Sequence, residues 1–374
     1  MTAIWIAILL CGAWVVFAYL GYPLALWILS IVSPRPVRSA EIAPELSVAI
    51  DVHNGERHLA QKLEETLSLD YPKSFEVLVA SDGSTDRTED IARSFANRGV
   101  QLIALPTRGG KEAAQAAAVA RARGEVLVFT DVSAEVDRDA LREIVRPFAD
   151  PSVGAVSSED VVESQGGEGA YVRYEMALRR LESTATTLVG LSGSLFAIRR
   201  ELGDPWPHDL ASDFRSALEA NRRGLRAVCA PAARARIGTV DDDPSREWTR
   251  KVRTVRRGIA VLSEYRELLA PRRGRAALSV WGHKLARFTA PFALLALLLL
   301  TAAAAPTSSV AAGLTLAQVA TWGLAVAALR LPALRRLLPF RIAAFFLLVN
   351  ASIVVAWVHH WTGERAVLWQ PTAR

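Results

Sequence analysis

Four short polar stretches carry groups able to hold a phosphorylated ligand: Asp51-Val52-His53-Asn54-Gly55-Glu56, Asp82-Gly83-Ser84-Thr85-Asp86, Thr107-Arg108-Gly109-Gly110-Lys111 and Asp131-Val132-Ser133. In the second, glycine permits close backbone approach, and Ser84, Thr85 or Asp86 can cap a following helix. Capping alone would account for Asp86, whereas Asp82 is placed to accept a hydrogen bond from a ligand's base or ribose. In the third, backbone N–H groups, a helix dipole and Lys111 could all face a diphosphate; the same residues also describe an ordinary solvated turn. Asp131 either caps the next turn or holds a hard cation through its carboxylate.

The elements that must position these groups can be read from hydrophobic patterning. Short β-rich runs at residues 46–52, 75–81, 100–105, 126–130 and 153–158 alternate with helical patterns at 57–69, 86–97, 111–122 and 138–148. This predicts a parallel α/β sheet, in which ligands bind beyond the carboxyl ends of the strands. Because the four polar stretches follow the first four strands in succession, they describe one crevice.

The chain of 374 residues is 51% hydrophobic with a mean hydropathy of +0.21, high for a soluble protein. Residues 2–32 carry no charge and are long enough to cross a hydrocarbon core of about 30 Å. A signal peptide would need a basic start and a shorter apolar core. Three further spans are expected at 285–305, 310–329 and 340–358, where Asn350 and Gln318 are the notable polar residues. That poverty of intramembrane charge argues against a transporter. Arg35 and Arg38 after the first span, with Lys284 and Arg287 at the second, place the central region in the cytoplasm. Parity sends the C-terminus outward, but a shallow interfacial segment among the last three would reverse the count, so the tail's side stays open. The expected organisation is an N-terminal transmembrane helix (1–33), an α/β domain (34–240), a basic amphipathic segment (241–284), about three transmembrane helices (285–362) and a tail (363–374).

Cys11 and Cys229 form no framework and lie in no metal-ligand spacing. The net charge of +6 comes largely from basic residues at 246–257 and 266–275, directly before a span. Anionic membrane lipid is therefore a simpler partner than nucleic acid. Trp248, Trp281 and Trp361 can stack on a sugar or anchor at the interface.

Residues 46–56, Phe75 through Asp86, Gly109-Gly110-Lys111 and Gly124 through Asp131 resemble, in order and spacing, the membrane-bound family 2 glycosyltransferases with the GT-A fold. The likeness continues through Asp150–Val156, Glu168–Glu175, Ser192-Gly193-Ser194 with residues 197–200, residues 250–254 and the closing Trp369–Arg374, which resemble members that build bacterial surface polysaccharides. The resemblance implies a GT-A, Rossmann-like nucleotide-sugar domain between membrane helices at the cell (inner) membrane. It puts Asp51, Asn54, Glu56 and Asp82 in the nucleoside pocket, Lys111 on the diphosphate, Asp131 at the Mg²⁺ or Mn²⁺ position, and Asp213 as general base. The reaction would be an in-line displacement with inversion, in which the base takes the acceptor's hydroxyl proton. Arg250 or Arg253 would offset charge on the leaving phosphate, or lie on a solvated or lipid-facing helix face.

The chain also departs from the family pattern. Asp51, His53 and Gly55 stand where a Pro, an aromatic and an acidic contact are usual, Gln115 stands for a common Asn, and Ser133 replaces the second carboxylate of Asp-x-Asp. Of the Gln-x-x-Arg-Trp signature of processive synthases, Glu247-Trp248-Thr249-Arg250-Lys251 keeps only the arginine. The expectation is a hexosyltransferase moving one or a few sugars from a UDP-sugar to a lipid-linked or polysaccharide acceptor at the membrane. The alternative is a non-catalytic binding or scaffold subunit that kept the fold. A nicotinamide enzyme is disfavoured, since no Gly-x-Gly-x-x-Gly follows the first strand. The sugar, the acceptor and the choice of base among Asp213, Asp209 and Asp204 stay open.

Overall fold

The computed structural model describes residues 2–162, 167–237, 244–331, 333–334 and 337–363. The motif at 369–374 and the side chains at 168–170 and 247 lie outside the described residues. The first helix runs as α1 (Thr2–Val16) and α2 (Tyr22–Val32), joined by a π-helical turn at Phe17–Gly21. Pro23, which has no N–H to donate, sits at the junction.

Among the described residues, eight strands form one sheet: β1 (Leu46–Val52), β2 (Glu76–Ser81), β3 (Val100–Ala104), β4 (Val126–Asp131), β5 (Ala134–Val136), β6 (Val153–Val162), β7 (Leu195–Arg199) and β8 (Arg226–Ile237). Their order is β3-β2-β1-β4-β7-β6-β8-β5. The first four are parallel as expected, but the sheet is mixed, because β7 runs antiparallel to both β4 and β6, and β5 antiparallel to β8. The insertion of β7 beside β4 carries the Ser192–Ser194 loop to the carboxyl end of β4, where Ser194 O accepts from Asp131 N at 3.3 Å and Thr130 Oγ1 at 3.0 Å.

Alternation along the strands divides the core. Ile50, Val52, Val77 and Val79 pack under α3 (Leu59–Leu67) and α4 (Thr88–Ser94). On the other face Ala49, Leu78, Leu127 and Phe129 meet α5 (Lys111–Arg121), and Phe129 stacks on Phe196 and Trp206 at 4.7 and 4.9 Å between centroids. The short α6 (Ala140–Val145) covers the β8 side. Cys11 and Cys229 are free, and burial pushes the Cys229 thiol up to about 12.

Among the described residues, four helices are long and apolar enough to cross a membrane: Thr2–Val32, Arg275–Thr307, Ser309–Arg330 and Leu338–Trp361. The long α7 (Gly167–Ala185), α8 (Ser212–Arg222) and the amphipathic α9 (Pro244–Glu264) lead to α10 (Arg275–Ser279), a second π-helical turn at Val280–Leu285, and α11 (Ala286–Ala304). Helix α11 runs antiparallel to α1, with Ala18 against Ala286 and Ala290, and Ile8 against Ala304. Helix α12 (Ser309–Arg330) folds back along α11, and Gln318 Nε2 donates to Leu294 O at 2.8 Å.

The last helix, α13 (Leu338–Trp361), does not follow the hairpin. Phe346 meets Tyr19 and Trp322, while Trp357 and Trp361 meet Phe292, and Trp357 Nε1 donates to Phe288 O at 2.8 Å. Those partners on α11 all lie in its first two turns, so α13 crosses the hairpin at its α/β-domain end.

A polar knot fastens this assembly to the α/β domain. Tyr22 Oη donates to Glu182 Oε1 at 2.6 Å, and His283 meets Glu182 through Nδ1 at 2.7 Å and Glu175 through Nε2 at 3.0 Å. Arg287 pairs with Glu175 and donates to Tyr174 Oη at 3.1 Å. Gly282 is required here: Tyr22 is fully buried, and a Cβ on Gly282 would collide with its ring. Overpacking of this kind costs about 1–3 kcal/mol. Gly282→Ala is expected to lower the unfolding midpoint of the detergent-solubilised protein by several degrees in a thermal scan; an unchanged midpoint would show that the seam has slack.

Candidate active site

Asp82, at the end of β2, is almost completely buried and holds the loop before α5. Its Oδ1 accepts from Gly109 N at 2.6 Å and Gly110 N at 3.0 Å, and its Oδ2 accepts from Gly110 N at 3.0 Å. The N–H groups expected to face a diphosphate are therefore occupied by Asp82. Arg108 Nε stands 4.0 Å from the same Oδ2, so the carboxylate is enclosed by the loop before α5. Gly83 makes the approach possible: φ is +58°, and an added Cβ would stand 2.7 Å from Arg108 N.

Asn54 and Glu56 also act on a neighbouring loop. Asn54, at φ 49°, accepts from Thr85 N at 2.8 Å, and its own N–H donates to Ser84 Oγ at 3.1 Å. Glu56 Oε2 accepts from Arg87 N at 3.2 Å, and Glu56 N donates to Asp86 Oδ2 at 3.1 Å. Both residues, expected in the nucleoside pocket, clamp the β1 and β2 loops together, and Asp86 joins the clamp beyond its capping contact with Thr88 N.

The charge centre of the crevice is Lys111. Its Nζ lies 2.5 Å from Asp131 Oδ1 and 3.8 Å from Asp51 Oδ2, and Asp213 is within its electrostatic reach. Burial opposes the charge, but Asp131 and Asp51 outweigh it and hold the ammonium above the usual lysine range. Asp51 faces Asp131 in register across β1 and β4. Burial pushes its carboxyl up to about 7, against the pull of Lys111 and with added repulsion from Asp131. Gln115, standing for the usual Asn, donates to Asp51 Oδ1 at 2.8 Å. Asp51 thus lies on the Lys111–Asp131 side of the crevice.

Asp213 opens α8; its Oδ1 accepts from Phe214 N at 2.8 Å, and a Cβ on Gly193 would come within 3.5 Å of its Oδ2. Asp204 and Asp209 are exposed, and the Asp204 carbonyl accepts from Arg223 at 2.8 Å. Across the crevice, Arg257 of α9 pairs with Glu112, the neighbour of Lys111. One turn earlier Arg253 meets no carboxylate among the described residues, and burial with repulsion from Arg257 and Arg250 holds its guanidinium below the usual range.

Two groups escaped the sequence reading. Asp160 lies in the part of β6 beyond residue 158; it accepts from Ser192 Oγ at 2.5 Å, and burial raises its pKa, with Arg179 opposing and Asp131 adding repulsion. Buried Lys62 donates to Ala134 O at 2.5 Å, fixing the chain just after Ser133. Neither has a local motif: an acidic residue in a strand and a lysine in an amphipathic helix both look like solvated surface.

A divalent cation can be tested against this donor set. Asp131 is one-third exposed, Ser133 is exposed, and among the described residues no three metal-ligating side chains gather. One carboxylate does not make a protein cage. It does suit an ion such as Mg²⁺, which is commonly held by one or two carboxylates together with substrate phosphates. The residues fit a metal shared with a diphosphate.

Residues 47–204 match the family described as Glycosyl transferase family 2. A mannosyltransferase from Pyrobaculum calidifontis, solved in complex with GDP-Man and Mn²⁺, superposes with a TM-score of 0.72 at 26% identity over 96% of this chain and 100% of that one. The beta-monoglucosyldiacylglycerol synthase of Synechocystis sp. is 28% identical over 203 residues, 48% of this chain and 41% of the relative. An N-acetylglucosaminyltransferase of Rhizobium leguminosarum bv. trifolii is 34% identical over 98 residues, 25% of this chain and 54% of the relative. The chain spans about half the length of these curated relatives.

The Asp82 clamp is open to measurement. Asp82→Ala leaves the Gly109 and Gly110 N–H groups without their acceptor, at about 1–3 kcal/mol for each group that water cannot reach. Its unfolding midpoint is expected to fall further than that of Asp82→Asn, which keeps one carbonyl oxygen. Equal midpoints for the two variants and the parent would remove the clamp.

Proposed function

We propose, on the premise that residues 47–204 are a family 2 glycosyltransferase domain of the GT-A fold, that the protein is an inverting hexosyltransferase. It moves a sugar from a nucleotide-diphosphate donor to a lipid-linked or glycan acceptor at the membrane surface. The observation that carries this reading is the convergence of Asp51, Lys111, Asp131 and Asp213 on one crevice, at the carboxyl ends of β1 and β4. The P. calidifontis neighbour was solved with GDP-Man, while the family resemblance implies UDP, so both nucleotides belong in the donor set.

Asp213 receives the acceptor's proton as its oxygen attacks the anomeric carbon. The bond to the diphosphate breaks with inversion, and negative charge grows on the leaving phosphate. Lys111 and Arg253 stand ready to offset that charge, Arg253 because it has no carboxylate of its own among the described residues. Mg²⁺ or Mn²⁺ held by Asp131 and the diphosphate would supply further positive charge to the leaving group. Asp82, which fixes the loop before α5, and the clamped β1 and β2 loops shape the nucleoside side.

For topology, the reading that fits the helix contacts has the catalytic domain on the cytoplasmic side, α1–α2, α11 and α12 crossing the bilayer, and α13 lying at the cytoplasmic boundary. The non-catalytic alternative rests on Ser133, and an intact Asp213 beside the crevice weighs against it.

The test is release of nucleoside diphosphate by the full chain in lipid, across UDP- and GDP-sugars, with Mg²⁺ or Mn²⁺ and then with a chelator. Release is expected to need the metal and to fall about a hundredfold to ten-thousandfold in Asp213→Asn with nucleotide binding kept. Binding of nucleotide without release from any donor, in the presence of membrane lipid extract, would favour the scaffold subunit.

A further inference from the structure

At the membrane end of the crevice one cation is left out of the polar knot. Lys284 lies in the π-helical turn at the head of α11, between His283 and Arg287, both of which are held by glutamates. Its own ammonium makes no hydrogen bond or ion pair with any described residue; it rests 4.9 Å from the centroid of the Phe214 ring. Glu175 and Glu182 are within electrostatic range, but their bonded oxygens serve His283, Arg287 and Tyr22, and neither carboxylate touches the ammonium. A half-buried ammonium in direct contact with no carboxylate gains when an anion reaches it.

The surroundings say where that anion sits. A Cβ on Gly190 would stand 3.7 Å from Lys284 Nζ, and a Cβ on Gly193 would stand 3.5 Å from Asp213 Oδ2. One loop therefore runs from the ammonium to the carboxylate, and its two ends are at most about 10 Å apart for three extended residues. Both ends are glycine, so the Lys284 and Asp213 side chains lie directly against the loop. Arg179 fixes the same loop from α7, donating to Leu191 O and Ser157 Oγ at 3.2 Å each, and adds positive charge. Phe214 and Phe288 supply apolar surface beside it, with Gly258 of α9 packed against both. At the head of a membrane helix the anion at hand is a lipid phosphate.

We infer that Lys284 seats the phosphate of a phosphate-bearing lipid acceptor, holding its reacting end against Asp213, so that the acceptor is an anionic lipid rather than a neutral one. This rests on the transferase reading for the acceptor's role, while the binding itself is independent of it. The phosphate lies at the loop's Gly190 end and the reacting oxygen reaches past Phe214 to the Gly193 end.

The test uses the detergent-solubilised full chain with farnesyl phosphate, farnesol and inorganic phosphate, followed by calorimetry or native mass spectrometry. Farnesyl phosphate is expected to bind about tenfold or more tightly than farnesol, as the loss of one charge-assisted contact implies. Lys284→Met should erase that preference, and Lys284→Arg should keep it, with thermal midpoints recorded for both. Equal binding of farnesyl phosphate and farnesol by the unmodified protein overturns the inference even if the Met variant misfolds. So does inorganic phosphate binding as tightly as the lipid, which would make this a free-phosphate site. Nucleoside diphosphate release measured on the same preparation separates the two readings. Release without Lys284-dependent binding sinks this one alone, and binding without release sinks the transferase alone.

Discussion

The arrangement depends on one constraint: charged groups at the boundary between water and hydrocarbon must be matched, because leaving either member of a pair alone there costs several kcal/mol. Glu175 and Glu182 project from α7, and Tyr22, His283 and Arg287 project from two membrane helices to meet them. His283 reaches a carboxylate through each ring nitrogen. The knot thus sets the distance and the tilt between sheet and bilayer together. Everything that follows α7 in the chain, including the loop that carries Gly190 and Gly193, is placed from that fixed point.

The crevice follows the same logic with the signs reversed. Three carboxylates, Asp51, Asp131 and Asp213, surround one ammonium, Lys111. A site with surplus negative charge would repel a diphosphate, so the cations around it matter as much as the acids. Arg253 and Arg257 come from α9 and Lys284 from the π-helical turn before α11, so these cations are supplied by the membrane-proximal part of the chain, while Asp51 and Asp131 come from the sheet, Lys111 from α5 and Asp213 from α8.

Much of this was legible in the sequence because it follows from local pattern. Strands β1 to β4 are buried apolar runs ending in polar turns, and their parallel order comes with the alternation of strand and helix. Strand β7 was not legible as an antiparallel insert, since nothing within Leu195–Arg199 records which strand it will join. Strand β8 carries arginines between small residues and β5 has three residues, so neither offers a clear periodic signal. The same limit explains Asp82. Its place at a strand end could be read, but its bonds to Gly109 and Gly110 join residues 27 and 28 positions away, and only the fold brings them together. Lys284 and Arg287 could be counted as positive flanks of a span; that one is paired and the other is not depends on α7, across a gap of about a hundred residues.

Helix α13 has a mechanical consequence. With 24 residues it is about 36 Å long and roughly 10 Å wide, and its contacts gather at one end of the neighbouring helices. In the orientation proposed above it displaces lipid from one leaflet and none from the other. That leaflet gains area relative to its partner, and the bilayer relaxes by bending away from it. The protein is then a wedge, and its energy in the membrane depends on how strongly the surrounding monolayer already wants to curve.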